Sequence, residues 1–256
     1  MNIERLFDPA GYPIRVHQDR DIGAGYLRGW GLEFGGAYEQ CVEKDPLFRG
    51  ARDYAVRRGT LVTQHKLANL FLILKYGWPA LGGDIFEFGS YRGGSAAFMA
   101  YIVRALGRRT RVYACDTFEG LPGSNADRDL HSAGDFGDAD LSGFREFIDS
   151  EKLQDRLIPV AGLFETALPP ILGSRPTLAL VHIDCDIYEP IKYLLAACAP
   201  YYEAGGYVVF DDPTFSSCIG AFDAMAEDLL RESRLLPEQV YPHFVFRPRG
   251  VPATRA

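Results

Sequence analysis

The chain has 256 residues, of which 47% are hydrophobic and 24% charged, and its net charge is −7. This amount of apolar and aromatic material excludes a chain that is disordered throughout. A broad surface for nucleic-acid phosphates is also excluded, because the net charge is negative and no run of Lys and Arg exceeds two residues. Five widely spaced cysteines without a C-x-x-C pair, no signal segment and no apolar run approaching about 18 residues predict a cytoplasmic chain without a membrane partner.

The order of predicted elements indicates the fold class. Residues 1–59 are rich in glycine and charge without sustained periodicity, which predicts an irregular extension with short helices, and a helical spacing then runs from Leu61 to Leu74. Beyond it, strands and helices alternate. The predicted strands are Asp84–Phe88, Arg111–Cys115, Leu157–Val160, Leu178–Ile183, Tyr207–Phe210 and His243–Phe246, and the predicted helices are Ser95–Leu106, Leu141–Leu153, Glu165–Leu172, Pro190–Cys198 and Ser217–Arg231. This alternation predicts an α/β domain with a doubly wound, mostly parallel sheet over residues 60–256, preceded by an N-terminal helical extension.

A glycine-rich segment from Glu87 to Ser95 follows the first strand of this domain and opens a helix. Glycines at such a turn let backbone N–H groups approach a ligand, although a tight strand-to-helix turn alone also explains them. The spacing is not G-x-G-x-x-G, and an acid at the strand end suits a cationic amine, such as that of S-adenosylmethionine (SAM). Asp116 ends the next strand, 22 residues after Gly94, where an acid commonly accepts hydrogen bonds from ribose hydroxyls.

Four acids follow two later strands of the predicted sheet. Asp184 and Asp186 come after one strand, and Asp211 and Asp212 after the next. Because the carboxyl ends of parallel strands share one edge, we expect these side chains to meet around one cation, and all-oxygen ligands suit Mg²⁺. The alternative is that some of them only cap the following helices or loops.

The polar stretch Gly120–Asp140 contains four glycines and few apolar anchors. Its acids lack the order of an EF-hand loop. We expect a mobile lid that closes over the donor and the acceptor and excludes water, with a solvated insertion as the alternative.

Four segments of the chain together resemble one known family. In order along the chain they are FEFGSYRGGS (Phe86–Ser95), DTFEGLP (Asp116–Pro122), IDCDIY (Ile183–Tyr188) and GGYVVFDD (Gly205–Asp212). They resemble the macrocin O-methyltransferase family over roughly residues 60–246. This resemblance implies a class I, Rossmann-like methyltransferase that uses SAM and Mg²⁺ to methylate sugar hydroxyls of bacterial natural products. Pro213 follows Asp212 where the family usually has an aromatic residue, and residues 1–59 match the family poorly.

The resemblance also implies a set of site residues. The metal ligands fall on Asp184, Asp211 and Asp212. The cofactor-binding residues fall on Thr60, Leu61, Val62, Glu87, Gly89, Ser90, Tyr91, Ser95, Asp116, Thr117 and Asp184. We expect Glu87 to engage the SAM amine and Asp116 to hold the ribose. Asp184 is the predicted catalytic base and His243 is the reserve candidate.

The predicted function is therefore SAM- and Mg²⁺-dependent O-methylation of a sugar hydroxyl, in antibiotic biosynthesis. The expected partner is a small-molecule glycoside, and we expect a homo-oligomer, most simply a dimer. Two alternatives stay open. One is a metal-dependent catechol or phenol O-methyltransferase that uses the same carboxylates with an aromatic-lined pocket. The other is a non-catalytic SAM-fold subunit that binds a partner enzyme.

Overall fold

The computed structural model describes residues 23–27, 30–34, 42–77, 82–232 and 235–248, with side chains described for 42–77, 82–202, 206–228 and 235–248. Within these ranges a sheet of seven strands has the spatial order β5-β4-β3-β6-β7-β9-β8. The strands are β3 (Asp84–Phe88), β4 (Val112–Asp116), β5 (Leu157–Ala161), β6 (Leu178–Ile183), β7 (Tyr202–Phe210), β8 (Leu235–Gln239) and β9 (Phe244–Pro248). Neighbours from β5 to β7 pair in parallel, and β9 pairs antiparallel with both β7 and β8.

Eight α-helices whose full bounds lie in the described ranges cover both faces of this sheet. They are α1 (Pro46–Arg57), α2 (Gln64–Leu72), α3 (Gly94–Ala105), α4 (Leu141–Ser150), α5 (Phe164–Ala167), α6 (Pro169–Leu172), α7 (Tyr188–Cys198) and α8 (Ile219–Glu232). Alternate residues of β3 serve the two faces: Ile85 packs in the cluster with α1–α4, and Phe86 and Phe88 in the cluster with α5–α8. All three side chains are fully buried. The predicted doubly wound, mostly parallel sheet is confirmed.

The predicted N-terminal extension contains two kinds of structure. Strands β1 (Gly23–Leu27) and β2 (Trp30–Phe34) pair antiparallel, where the sequence had predicted only short helices. Helix α1 begins after Asp45, whose side chain accepts a hydrogen bond from the backbone N–H of Leu47 at 2.9 Å. Phe48 of α1 is fully buried against α3. The division of the chain at residue 59 stays a prediction, and α1 packs into the core of the sheet domain across it.

Other elements differ from prediction for local reasons. The predicted helix Glu165–Leu172 is two short helices, because Pro169 and Pro170 remove the N–H donors that one continuous helix needs. The helix predicted from Leu61 begins at Gln64 and ends in a π-helical turn, Ile73–Gly77. No helix in the described part of the chain is long and apolar enough to cross a bilayer.

The strand order fixes where a ligand can bind. Chain connections run outward from β3 to β4 and β5 on one side, and from β6 to β7 on the other. In open α/β sheets the crevice lies at such a switch point, outside the carboxyl ends of the strands. Among the predicted site residues, Asp116 lies at the end of β4, Asp184 directly follows β6, and Asp211 and Asp212 directly follow β7.

Candidate active site

A cavity of about 850 Å³ opens at the carboxyl ends of β3, β4, β6 and β7. Ten of the eleven predicted cofactor residues line it, and so do all three predicted metal ligands. The cofactor residues in its wall are Thr60, Leu61, Val62, Gly89, Ser90, Tyr91, Ser95, Asp116, Thr117 and Asp184. One space therefore joins the cofactor motifs to the carboxylates.

Glu87 is the predicted cofactor residue that the structure places elsewhere. It is fully buried, is not part of the cavity wall, and pairs in register with His182 of β6. Its Oε1 lies 3.0 Å from His182 Nδ1. The expected contact with the SAM amine stays a prediction, for which the buried Oε2 of Glu87, without a hydrogen-bond partner among the described residues, is the available atom.

The glycines of the first motif serve the packing of the chain. Gly89 has φ +88°, and a Cβ there would lie 1.7 Å from the carbonyl oxygen of Asp184. Gly93 has φ +79°, and a Cβ there would lie 2.3 Å from the ring of Phe144. Glycine at these positions lets β3 approach the end of β6 and lets the turn pack on α4. The interpretation as a tight strand-to-helix turn thus accounts for both residues.

Two polar groups at this end of the cavity fit a nucleoside cofactor. The hydroxyl of Ser90 is buried and has no hydrogen-bond partner among the described residues. Asp116 accepts backbone hydrogen bonds from Tyr91 and Phe118, each at 2.7 Å. Burial raises the pKa of Asp116 although these two N–H groups lower it. Each carboxylate oxygen has a second lone pair, so Asp116 can also accept hydrogen bonds from ribose hydroxyls.

The three predicted metal ligands come together at the other end. Asp184 follows β6, while Asp211 and Asp212 follow β7, and Ile183 is the register partner of Phe210. One oxygen from each carboxylate lies within 4.8 Å of the others. Burial and mutual repulsion raise the pKa of both Asp184 and Asp212 well above the ordinary value. A divalent cation would relieve that repulsion, and three carboxylate oxygens are a donor set that suits Mg²⁺.

Asp211 is held from behind by three basic side chains. Lys66 donates to its backbone oxygen at 2.7 Å and also to its carboxylate. His243 Nε2 lies 2.9 Å from Asp211 Oδ1, and His182 Nε2 lies 3.6 Å from the same oxygen, which is an ion-pair distance. Burial alone would raise the pKa of Asp211, but His182, His243 and Lys66 hold it well below the ordinary value. Asp211 is therefore ionised and fixed in orientation before any metal binds.

His243, the reserve base, does not face the cavity. It is fully buried, and its Nδ1 lies 3.0 Å from Asn69 Nδ2, which fixes Nε2 toward Asp211. Burial lowers the pKa of His243 to about 4, so the neutral ring donates to Asp211 and accepts from Asn69. That His243 takes the acceptor proton stays a prediction, and the described contacts place its ring behind Asp211, where it positions that carboxylate.

His182 gives the protein a pH-dependent stability. Burial lowers its pKa, but the contacts with Asp211 and Glu87 outweigh burial and raise it from 6.5 to about 9. Because the folded pKa lies above the unfolded one, this stabilisation is complete below about pH 6.5 and is lost as the pH rises through about 9. We expect the free energy of unfolding of chelator-treated protein to fall across that window, and His182→Gln to flatten the fall. Urea unfolding at several pH values measures it, and an unchanged slope in His182→Gln would contradict it.

Sequence reasoning does not predict one cluster, formed by His131, Asp186 and Cys218, that lies beside the predicted metal ligands. Asp186 has φ +62°, and its backbone N–H donates to Asp212 Oδ2 at 2.7 Å. Its carboxylate instead faces His131 of the Gly120–Asp140 loop and Cys218 at the start of α8, and all three line the cavity. Asp186 therefore lies next to the predicted metal ligands and outside their group of three.

The Gly120–Asp140 loop is tied into the domain. Asp129 is buried and accepts hydrogen bonds from the backbone N–H groups of Asn125 and Tyr188, each at 2.9 Å. Because Tyr188 is the first residue of α7, this carboxylate caps that helix with the loop. Residues of this loop form part of the cavity wall. That the loop opens and closes stays a prediction.

Comparison with known proteins identifies the family. Residues 49–234 match the family described as macrocin-O-methyltransferase (TylF). The chain is 32% identical over 196 residues to the 8-demethyl-8-(2,3-dimethoxy-alpha-L-rhamnosyl)-tetracenomycin-C 4'-O-methyltransferase of Streptomyces olivaceus, covering 71% of this chain and 72% of that protein. It is 33% identical over 210 residues to the demethyldecarbamoylnovobiocin O-methyltransferase of Streptomyces niveus, covering 75% of each.

Solved structures share the fold. The calicheamicin methyltransferase CalS11 has a TM-score of 0.62 at 23% identity, over 82% of this chain and 89% of that one. The O-methyltransferase NovP has a TM-score of 0.59 at 23% identity, over 83% of this chain and 95% of that one. Together with the matching family and relatives, this fold shows that the chain belongs to the macrocin-O-methyltransferase family and is a SAM-dependent O-methyltransferase.

Proposed function

We propose that the chain transfers the methyl group of SAM to a sugar hydroxyl of a glycosylated natural product, with Mg²⁺ held by Asp184, Asp211 and Asp212. The observation that carries this proposal is that residues of the cofactor motifs and the carboxylates of Asp184, Asp211 and Asp212 line the same cavity. The names of the relatives support the acceptor class, since one is a methyltransferase of a rhamnosyl tetracenomycin and another is the mycinamicin III 3''-O-methyltransferase of Micromonospora griseorubida.

The cofactor end of the cavity would position the methyl donor. Asp116 would accept hydrogen bonds from the ribose hydroxyls of SAM. The hydroxyl of Ser90, which has no partner among the described residues, would contact the methionine part of SAM. Thr60, Leu61 and Val62 line the same space. Methyl transfer is an in-line displacement at the sulfonium carbon, so holding donor and nucleophile in line is the main task of these residues.

The carboxylate end would prepare the acceptor. Asp184, Asp211 and Asp212 would hold Mg²⁺, which would serve as a Lewis acid that lowers the pKa of a sugar hydroxyl. Lys66, His182 and His243 hold Asp211 in place for this task. The rest of the site has to accept one proton as the methyl group leaves the sulfonium.

We infer that the proton goes to Asp186 in preference to Asp184. A carboxylate that holds a cation is a weakened base, whereas Asp186 lines the cavity outside the ligand set. Burial raises the pKa of Asp186, toward the range in which a base works at neutral pH. We expect Asp186→Asn to lower turnover about a hundredfold with Mg²⁺ affinity within a few-fold, by methyl-transfer kinetics and calorimetry. A matching loss of Mg²⁺ affinity would place Asp186 among the ligands.

Removing divalent metal is expected to abolish turnover and leave SAM binding nearly intact, because Asp184 is the one residue that the predicted cofactor set shares with the proposed metal ligands. Chelator-treated protein should bind SAM within a few-fold of the untreated affinity by calorimetry, and added Mg²⁺ should restore turnover and raise the melting temperature. Mn²⁺ is a useful second metal, and Na⁺ at equal ionic strength is the control. Full activity in protein shown to be metal-free would contradict the proposal.

The acceptor class is tested with a panel of deoxysugar glycosides and catechols, each with and without Mg²⁺. Metal-dependent methylation of the glycosides alone supports the proposal. Methylation of catechols in preference to glycosides would support the phenol alternative, and SAM binding without any turnover would support the non-catalytic subunit. The dimer and the cytoplasmic location stay predictions, for which light scattering and fractionation are the measurements.

A further inference from the structure

We propose that His131, Asp186 and Cys218 form a second metal site, which binds Zn²⁺ and blocks the acceptor end of the cavity. The three residues come from separate segments: the Gly120–Asp140 loop, the turn after β6 and the start of α8. All three line the same cavity, so an ion can reach them from solvent. This site has no residue in common with the carboxylate triad of Asp184, Asp211 and Asp212.

The spacing of the donor atoms fits a tetrahedral ion. Cys218 Sγ lies 3.4 Å from Asp186 Oδ1 and 3.6 Å from His131 Nε2, and His131 Nε2 lies 3.8 Å from Asp186 Oδ1. Zinc bonds of about 2.3 Å to sulfur and about 2.0 Å to nitrogen or oxygen place such donors roughly 3.3–3.6 Å apart. The three donor–donor distances are thus within about half an ångström of those that a tetrahedral ion needs.

The surroundings of His131 support a role as ligand. Its Nδ1 lies 3.3 Å from Asp135 Oδ2, and that oxygen is itself fixed by the backbone N–H of Ser132 at 2.9 Å. A carboxylate on one ring nitrogen sets the tautomer and turns the other nitrogen toward a metal, which is the usual arrangement around zinc-binding histidines. The ring also packs against Phe136, with its centroid 5.6 Å from that ring.

The donor types select the ion. A thiolate, an imidazole and one carboxylate suit zinc, whereas Mg²⁺ prefers oxygen ligands alone. Burial raises the pKa of the Cys218 thiol, so the free residue carries its proton. On binding, the Sγ–H bond breaks, the proton passes to the buffer and the Zn–S bond forms with the sulfur electron pair, with no change of oxidation state. Three protein ligands leave a fourth position for water.

Binding there would remove Asp186 from the acceptor site. Its carboxylate would be committed to zinc, and its backbone N–H already ties it to Asp212 of the triad. Zinc would therefore inhibit methyl transfer without displacing Mg²⁺. This inhibitory part rests on the proposed function, whereas the binding site itself does not.

The binding test uses Co²⁺ as a spectroscopic probe and Zn²⁺ as the competing ion, with excess Mg²⁺ present throughout to fill the triad. We expect wild-type protein to bind one Co²⁺ with a sulfur-to-cobalt charge-transfer band in the near ultraviolet. Cys218→Ser should lose the band and weaken zinc at least about tenfold, as a lost ligand does. Cys198→Ala, which removes a buried thiol of α7 outside the cavity wall, is the matched control and should keep the band.

Two further variants keep the test decisive. Should Cys218→Ser not fold by circular dichroism, His131→Gln retains the thiol and should weaken zinc by a similar factor. Asp135→Asn should weaken zinc by a smaller factor, because it only loosens the ring. A wild-type protein without the band, or a folded Cys218→Ser protein that keeps it, would overturn the site.

The inhibition is measured separately. Zinc should lower methyl transfer by wild-type protein, excess Mg²⁺ should not reverse it, and Cys218→Ser should be at least tenfold less sensitive. Unchanged zinc sensitivity in Cys218→Ser would overturn the inhibitory role. Because the cobalt band needs no turnover, its result stands whether or not the protein methylates a sugar.

Discussion

Replacing Asp212 by Asn is expected to reduce methyl transfer about a thousandfold while SAM affinity stays within a few-fold. The substitution removes one charge from the proposed metal site, and about 4 kcal/mol of lost transition-state stabilisation corresponds to that factor. The fold should survive, because the one hydrogen bond described for the Asp212 carboxylate comes from the backbone N–H of Asp186. The amide oxygen of Asn can accept the same hydrogen bond.

Asp211→Asn is the informative partner of that variant. It should lose as much activity, but it should also lower the free energy of unfolding by about 3 kcal/mol. The difference arises because Lys66 is buried beside the Asp211 carboxylate and would lose its counter-charge, and because His182 would lose a contact that stabilises its charged form. Kinetics, SAM calorimetry and urea unfolding of both variants measure these effects. Full activity in Asp212→Asn would contradict the metal assignment, and equal stability of the two variants would contradict the role given to the basic residues.

A second large effect is expected for Gly89→Ala, which should destabilise the fold by about 4 kcal/mol or more. The added Cβ would lie 1.7 Å from the backbone carbonyl oxygen of Asp184, and φ is +88°. Relief requires β3 and β6 to move apart at their carboxyl ends, because the close atom is backbone and cannot rotate away. The turn after β3 and the proposed metal ligand Asp184 would shift together.

Gly82→Ala is the matched control for this prediction. A Cβ at Gly82 would have no atom within 4 Å. We therefore expect the free energy of unfolding of Gly82→Ala to lie within about 0.5 kcal/mol of the wild-type value. Urea unfolding and SAM binding compare the two. A Gly89→Ala protein as stable as Gly82→Ala would mean that the two strand ends separate without cost.

Sequence reasoning located the residues whose position depends on strand ends. An acid directly after a short apolar run must lie at the edge of a parallel sheet, and this rule placed Asp116, Asp184 and Asp211 in one cavity wall. The rule does not apply to Glu87, which lies inside a strand that is buried on both faces. Nothing in such a run shows which way a polar side chain turns, and its partner His182 lies on another strand 95 residues away in the sequence.

The missed elements have equally physical reasons. Strand β8 has the sequence LLPEQ, whose proline is tolerated only because β8 is the edge strand of the sheet. Strand β1 contains two glycines, which weaken any strand signal. His131, Asp186 and Cys218 come from the Gly120–Asp140 loop, the turn after β6 and the start of α8. Their spacing along the chain does not predict that they meet.

The insertion of β9 between β7 and β8 sets a limit on when the site is complete during synthesis. Until residues 244–248 have left the ribosome, β7 has one unpaired edge, and Asp211 at its end lacks the support of His243. A nascent chain can therefore assemble the part of the cavity formed by β3 and β4 well before the part that contains Asp211. The exposed edge of β7 is a point at which two unfinished chains could pair, so a chaperone that shields it would raise the yield of active enzyme.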